Sequence, residues 1–135
     1  MMKLFQVVLA AVLLLASPFA FAGKPSKDQE INTGPVWQGN VLGCYVSNLT
    51  GTPIIVDITI IYYDLGTKTT IYELFPTREI ESDSVDHVSL DPTSHNGGYC
   101  KINWTGEIGQ LRGTACSFQS DSADNVQFLG CSDAY

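Results

Sequence analysis

The chain has 135 residues, a formal net charge of −7, 44% hydrophobic residues and only 16% charged ones. Seven Lys and Arg against fourteen Asp and Glu exclude a basic nucleic-acid footprint and electrostatic docking to anionic lipid. The length suits one domain and is too short for two.

Residues 1–22 read as a secretory signal peptide: an early Lys3, the apolar run Phe5 to Ala16, then Ala20-x-Ala22 as a small-residue cleavage pattern. No Cys sits just past the cleavage point, so a lipid anchor is not suggested. The expected destination is the periplasm or the exterior, with no stable membrane insertion. Loss of Lys3 with the leader makes the net charge one unit more negative.

Residues 23–40 are expected to be a flexible polar arm. Ile31, Val36 and Trp37 are its only large apolar residues, and Pro25 and Pro35 argue against helix or central strand. Trp37 is the one residue there with reason to tuck against the domain, expected over 41–135.

From Val41 the period is two. Leu42, Cys44 and Val46 share one face of the first strand. Ile54 to Tyr63 is the clearest strand, with Ile54, Val56, Ile58, Ile60 and Tyr62 on its core face. Asp64-Leu65-Gly66 turns the chain, and Thr69 to Phe75 returns until Pro76 stops it. Val85 to Leu90 is a weaker strand, and Asp91-Pro92 and Asn96-Gly97-Gly98 bracket a loop. Tyr99 to Trp104, with Cys100, Ile102 and Trp104 on one face, is expected to form a hairpin with Gln110 to Phe118. Asn125 to Cys131 is the last strand. No window shows a helical period. About seven short strands between turn signals indicate an all-β chain, an antiparallel immunoglobulin-like β-sandwich, with a small barrel as the alternative.

Four cysteines, Cys44, Cys100, Cys116 and Cys131, in an exported small domain read as two disulfides. Zinc lacks support, because there is no C-x-x-C and neither His87 nor His95 stands at ligand spacing from a Cys. Both Cys44 and Cys100 fall on the apolar face of their strands, which fits an inward bridge between sheets and leaves Cys116–Cys131. A Cys100–Cys116 bridge across the expected hairpin stays open, since hairpin register depends on the turn type.

Cys44-Tyr45-Val46-Ser47-Asn48, followed later by Tyr99-Cys100-Lys101, Gly106 and Leu111-Arg112, resembles a pattern in small exported bacterial proteins of unknown function. The resemblance covers two blocks. It implies an immunoglobulin-like or fibronectin-type-III-like sandwich with an inward Cys44–Cys100 bridge, and it implies no activity. Cys116 and Cys131 depart from the pattern.

Several groupings have the right residue types for chemistry. His87 and His95 lie near Asp83, Asp86 and Asp91 in sequence, as a metal site or an oriented base would require, but no motif spacing supports either. Asp121 to Asn125 offers oxygens for calcium without the EF-hand series. Glu73, Glu79 and Glu81 have the chemistry of a glycosidase pair, and surface acids are the plainer reading. No nucleophile elbow or phosphate loop is present. Catalytic residues, metal ligands and cofactors are therefore expected to be none. Asn48-Leu49-Thr50 and Asn103-Trp104-Thr105 match a glycosylation sequon, read here as coincidence.

Strand phase puts Tyr45, Tyr63 and Tyr99 opposite the core faces, where Tyr rings on a rigid sheet bind sugars or proteins. The leading functional expectation is a monomeric, exported, non-catalytic binding module whose partner is an unknown protein or glycan. A strand-exchanging fibre or pilus-like subunit is the alternative, and a small secreted hydrolase a weaker one.

Overall fold

The computed structural model describes residues 27–92, 95–121 and 125–134; the expected leader, 1–22, lies outside them. Nine strands and no helix make up the described residues: β1 Lys27–Asn32, β2 Val41–Asn48, β3 Ile54–Asp64, β4 Thr69–Leu74, β5 Arg78–Ile80, β6 Val85–Leu90, β7 His95–Gly106, β8 Leu111–Ser120 and β9 Val126–Asp133. They form two antiparallel sheets. One runs β1-β7-β3-β4, with β5 also on β3; the other runs β6-β2-β8-β9.

The core face expected for β3 is the one observed. Val56, Ile58 and Ile60 are at most 1% exposed, while Ile55 on the other face is 61% exposed. Ile102 and Trp104 flank them from β7 in the same sheet, and Leu42 and Val46 of β2 face them from the other sheet, all in one cluster. Period-two burial between two sheets is what a sandwich requires.

Both disulfides are Cys44–Cys100 and Cys116–Cys131. The first joins β2 to β7 through the core, with both cysteines buried. The second links directly opposed residues of β8 and β9. The open alternative, Cys100–Cys116, fails because β7 and β8 are not a hairpin: the turn after Gly106 carries the chain from one sheet to the other. Local pattern dictates that a chain turns there, and does not dictate which sheet receives it.

The flexible-arm expectation is corrected over its described part, 27–40; residues 23–26 lie outside the described residues. Lys27–Asn32 is an edge strand paired with β7 over six residues, with Ile31 opposite Ile102. Glu30 and Lys101 form an ion pair at 2.7 Å. Thr105 Oγ1 donates to Asp28 at 3.0 Å. The linker behind β1 is also tied down: Thr33 N donates to the Cys100 carbonyl at 2.9 Å, and Cys100 N donates to Thr33 Oγ1 at 2.9 Å. Val36 and Gly98 exchange a pair of backbone bonds at 2.9 and 3.0 Å. An edge strand buries only one residue in several, so its sequence stays polar and shows no period. The same pairing draws the expected 96–98 loop into β7. β5, three residues long, is the other element that periodicity did not show; its Ile80 is 1% exposed.

Asn48 is buried at the end of β2. Its amide donates to the carbonyls of Thr52, Ile80 and Glu81 at 2.8, 3.0 and 3.1 Å, and its Oδ1 accepts from Thr50 N and Oγ1. It ties the 49–53 turn to the end of β5. An amide enclosed in this way is not available for a glycan.

Candidate functional site

The sequence groupings of His and acids do not converge. His87 lies on the outer face of the β6 sheet, stacked on Tyr45 at 5.4 Å. Asp86 points to the opposite side of β6, where the Arg78 guanidinium donates to it. Burial raises the Asp86 pKa, but the Arg78 hydrogen bond and the His87 amide outweigh it and hold the carboxyl below its ordinary value. His95 begins β7 in the other sheet, and Asp83 sits in the turn before β6 with φ 51°. Among the described residues no three His, Cys, Asp or Glu come close enough to hold a metal ion. Glu73, Glu79 and Glu81 are each exposed. In the Asp121–Asn125 loop the Asp121 carboxylate accepts from the backbone and amide of Asn125, both at 3.0 Å. Ser122 to Asp124 lie outside the described residues.

The three tyrosines separate. Tyr63 and Tyr99 line one cleft of about 500 Å³ on the outer face of the β3–β7 sheet. Tyr45 is on the other sheet, opposite Thr114 and His87. Strand phase distinguishes inside from outside and cannot say which of two outsides a residue takes.

The two outer faces differ in what their rings do. On the β2–β8 sheet the rings contact one another: Tyr45 touches His87 and Phe118, and Phe118 meets Phe128 edge-on at 5.8 Å. These rings are engaged with one another, although Phe128 remains exposed. On the β3–β7 sheet, Trp37, Tyr63 and Tyr99 line the cleft, and no ring contact joins them. Trp37 and Tyr63 there are exposed and Tyr99 is half-buried.

The cleft has a defined floor. Ile61 lies opposite Tyr99 on one side and Tyr72 on the other, and is 3% exposed although it is on the outer face. Gly98 lies beside it: a Cβ there would meet the Leu42 side chain at 2.7 Å and the Ile61 carbonyl at 2.9 Å. The wall is Trp37, the one residue of the polar stretch expected to tuck against the domain. Its neighbour Val36 is buried against Gly98, so alternation turns the indole outward, 60% exposed. The ring rests on Gly97, where a Cβ would lie 2.6 Å from the indole. Gln38 and Gly39 follow in the left-handed region, at φ 74° and 86°. For Gln38 that conformation costs roughly 1–2 kcal/mol. A Trp followed by Gln-Gly in a polar stretch was the available signal.

Beneath the cleft, His95 accepts a hydrogen bond from Gly97 N at Nδ1, 3.3 Å, which assigns the proton to Nε2. Tyr62, another lining residue, packs on it edge-on. The Nε2 atom is buried near the Gly39 carbonyl, outside hydrogen-bond geometry. Burial lowers the His95 pKa, and the Gly39 carbonyl and Asp91 carboxylate partly oppose that shift.

A second, wider groove of about 850 Å³ lies along the same sheet near Asp28 and Asp57. Both acids there already accept from threonine hydroxyls, Asp28 from Thr105 and Asp57 from Thr77.

No protein-family model matches the chain, and no curated protein matches it. The crystal structure of Thermotoga maritima 1070 is similar, with a TM-score of 0.49 at 10% identity over 85% of this chain and 96% of that one.

Proposed function

We propose that the protein is an extracytoplasmic, non-catalytic binding module that holds its ligand in the cleft walled by Trp37, Tyr63 and Tyr99. The supporting observation is the contrast between the two outer faces: rings contact one another on one, and stand apart along a formed cleft on the other. Side chains on a sheet tied to its partner sheet by the buried Cys44–Cys100 bridge lose little freedom when they bind, which favours affinity. The leader pattern of residues 1–22 and the two disulfides support an oxidising compartment.

The test compares the wild type with a Trp37→Ala, Tyr63→Ser, Tyr99→Ser variant and with a Tyr45→Ser control, each immobilised and exposed to envelope extract and its soluble glycans. The cleft variant should lose the bound material that Tyr45→Ser keeps. Equal retention by all three would sink the reading. Fractionation of the full chain should recover it oxidised and outside the cytoplasm; a reduced cytoplasmic protein would contradict the location.

A further inference from the structure

Resting on that cleft as the binding site, we infer that its ligand is a neutral oligosaccharide. Charge comes first. The chain carries −7 overall, yet no Asp, Glu, Lys or Arg is among the residues lining this cleft. The adjoining part of the same face does hold Glu30 and Lys101, but these pair with each other at 2.7 Å. A charged ligand entering the cleft would lose hydration with no opposite charge to receive it. Acidic sugars, phosphorylated groups and basic peptides are thereby disfavoured.

Polarity comes second. Thr70 and Asn96 line the cleft beside the rings, and neither side chain is used in a hydrogen bond within the described residues. Asn32 gives its Nδ2 to Glu30 at 3.1 Å, which leaves Oδ1 as an acceptor. A lipid or other wholly apolar ligand would cover these groups without partners, a cost of about 1–3 kcal/mol for each buried one. Proline-rich peptides also use aromatic grooves. Proline has no N–H, so such a segment offers carbonyl acceptors and nothing to satisfy the Asn32 and Asn96 oxygens. A pyranose offers what the cleft lacks on both counts. Its hydroxyls donate and accept around the rim, and its C–H face lies against an aromatic face.

The ring arrangement comes third. The Trp37 indole is held from beneath by Gly97 and from behind by two successive left-handed residues. A side chain 60% exposed and so fixed is preorganised as a stacking wall. The volume of about 500 Å³ falls within the range of small-ligand sites, roughly 300–1,000 Å³, and suits a short oligomer.

Trp37 supplies the readout. The other Trp, Trp104, is 4% exposed, so acrylamide quenching of the folded protein reports on Trp37. Quenching would be measured with maltotriose, cellotriose, mannotriose and chitotriose, with a trigalacturonate and a hexaproline peptide alongside. At least one neutral trisaccharide should protect Trp37 saturably. Ligand-observed NMR should show its affinity falling about tenfold or more in Trp37→Ala and in Tyr99→Ser, and unchanged in Tyr45→Ser. Protection by hexaproline alone, or by trigalacturonate alone, overturns the ligand class and leaves the cleft as the site. Failure of every probe, with extract-bound material also indifferent to the cleft substitutions, overturns both. Failure of the neutral sugars alone, with cleft-dependent capture intact, overturns the sugar assignment.

Discussion

Removing the core disulfide should cost more stability than removing the surface one, and by an amount the structure allows to be worked out. Cys44–Cys100 closes a loop of sequence separation 56, and Cys116–Cys131 one of 15. Chain-entropy arithmetic gives about 4 kcal/mol for the first and about 3 kcal/mol for the second. Packing widens the difference. Cys44 and Cys100 are 0% and 2% exposed, so replacing both with Ala leaves a gap between the sheets worth about another 1–2 kcal/mol. Cys116–Cys131 lies on an outer face, with Cys116 covered but Cys131 exposed, across a strand pair that backbone bonds already hold. The double variant Cys44→Ala, Cys100→Ala should therefore lose about 5–6 kcal/mol, against about 3 kcal/mol for Cys116→Ala, Cys131→Ala. Domains of this size have about 5–15 kcal/mol in total, so the first variant approaches global unfolding. Urea denaturation reads both, and the slope should rise more for the core variant because its unfolded chain expands more. Equal losses, or a larger loss for the surface bridge, would refute the loop-length and burial reasoning together.

Asn48→Ala should destabilise by about 2–3 kcal/mol in the same assay, because it strands three carbonyls in two segments, Thr52 in the turn and Ile80 and Glu81 at the end of β5; a loss under about 0.5 kcal/mol would show the network to be dispensable. Stability should also fall on mild acidification. Burial lowers the His95 pKa from 6.5 in the folded state, so the unfolded chain takes up the proton first. Its contribution is complete above the unfolded value and is lost as pH falls through the lower folded one. Aspartate and glutamate groups held low, Asp86 by Arg78 and Glu30 by Lys101, lose theirs only in the more acidic carboxylate range. Thermal melts from pH 7.5 to 5 should therefore show a decline that His95→Gln flattens; an identical decline in that variant would assign it to other groups.

Much of the fold was legible because one rule, alternation, covers every strand buried on one side. Ile54 to Tyr62 named its inner face without ambiguity, and the same phase put Cys44 and Cys100 inward. The rule fails where a strand buries nearly nothing. In β1 only Ile31 packs against the core, and its pairing partner is more than 70 residues away in sequence, so no local signal marks it. It also fails at choices between sheets: Gly106 to Gln110 reads as a hairpin turn whether the chain returns or crosses. The site inherits both failures. Tyr63 and Tyr99 were legible as outward-facing, but Tyr45 was indistinguishable from them. Trp37 depended on recognising that the polar arm is anchored. His87 and His95, eight residues apart in sequence, belong to different sheets.

The edge beside β7 is the place where the fibre alternative meets the structure. A subunit that assembles by strand exchange leaves an edge open for its neighbour's strand. Here β1 of the same chain occupies that edge, antiparallel, from Lys27 opposite Gly106 to Asn32 opposite Lys101. Its hold is modest: one half-buried Ile31, an exposed ion pair, an exposed hydrogen bond from Thr105 to Asp28 and the backbone ladder. The linker is held more firmly, by buried Thr33 and Val36. Deleting residues 27–32 should therefore leave the sandwich folded but uncover the β7 backbone beside Ile102 and Trp104, an unpaired edge of the kind that recruits another chain. Size exclusion should show the full-length mature protein as a monomer and the truncated one as dimers or larger species, with synthetic peptide 27–32 in excess returning it to monomer. Heat-resistant oligomers of the intact protein would instead mean that β1 is exchanged between copies. A truncated protein that stays monomeric would show that this edge has no pairing tendency, and would remove strand exchange from consideration.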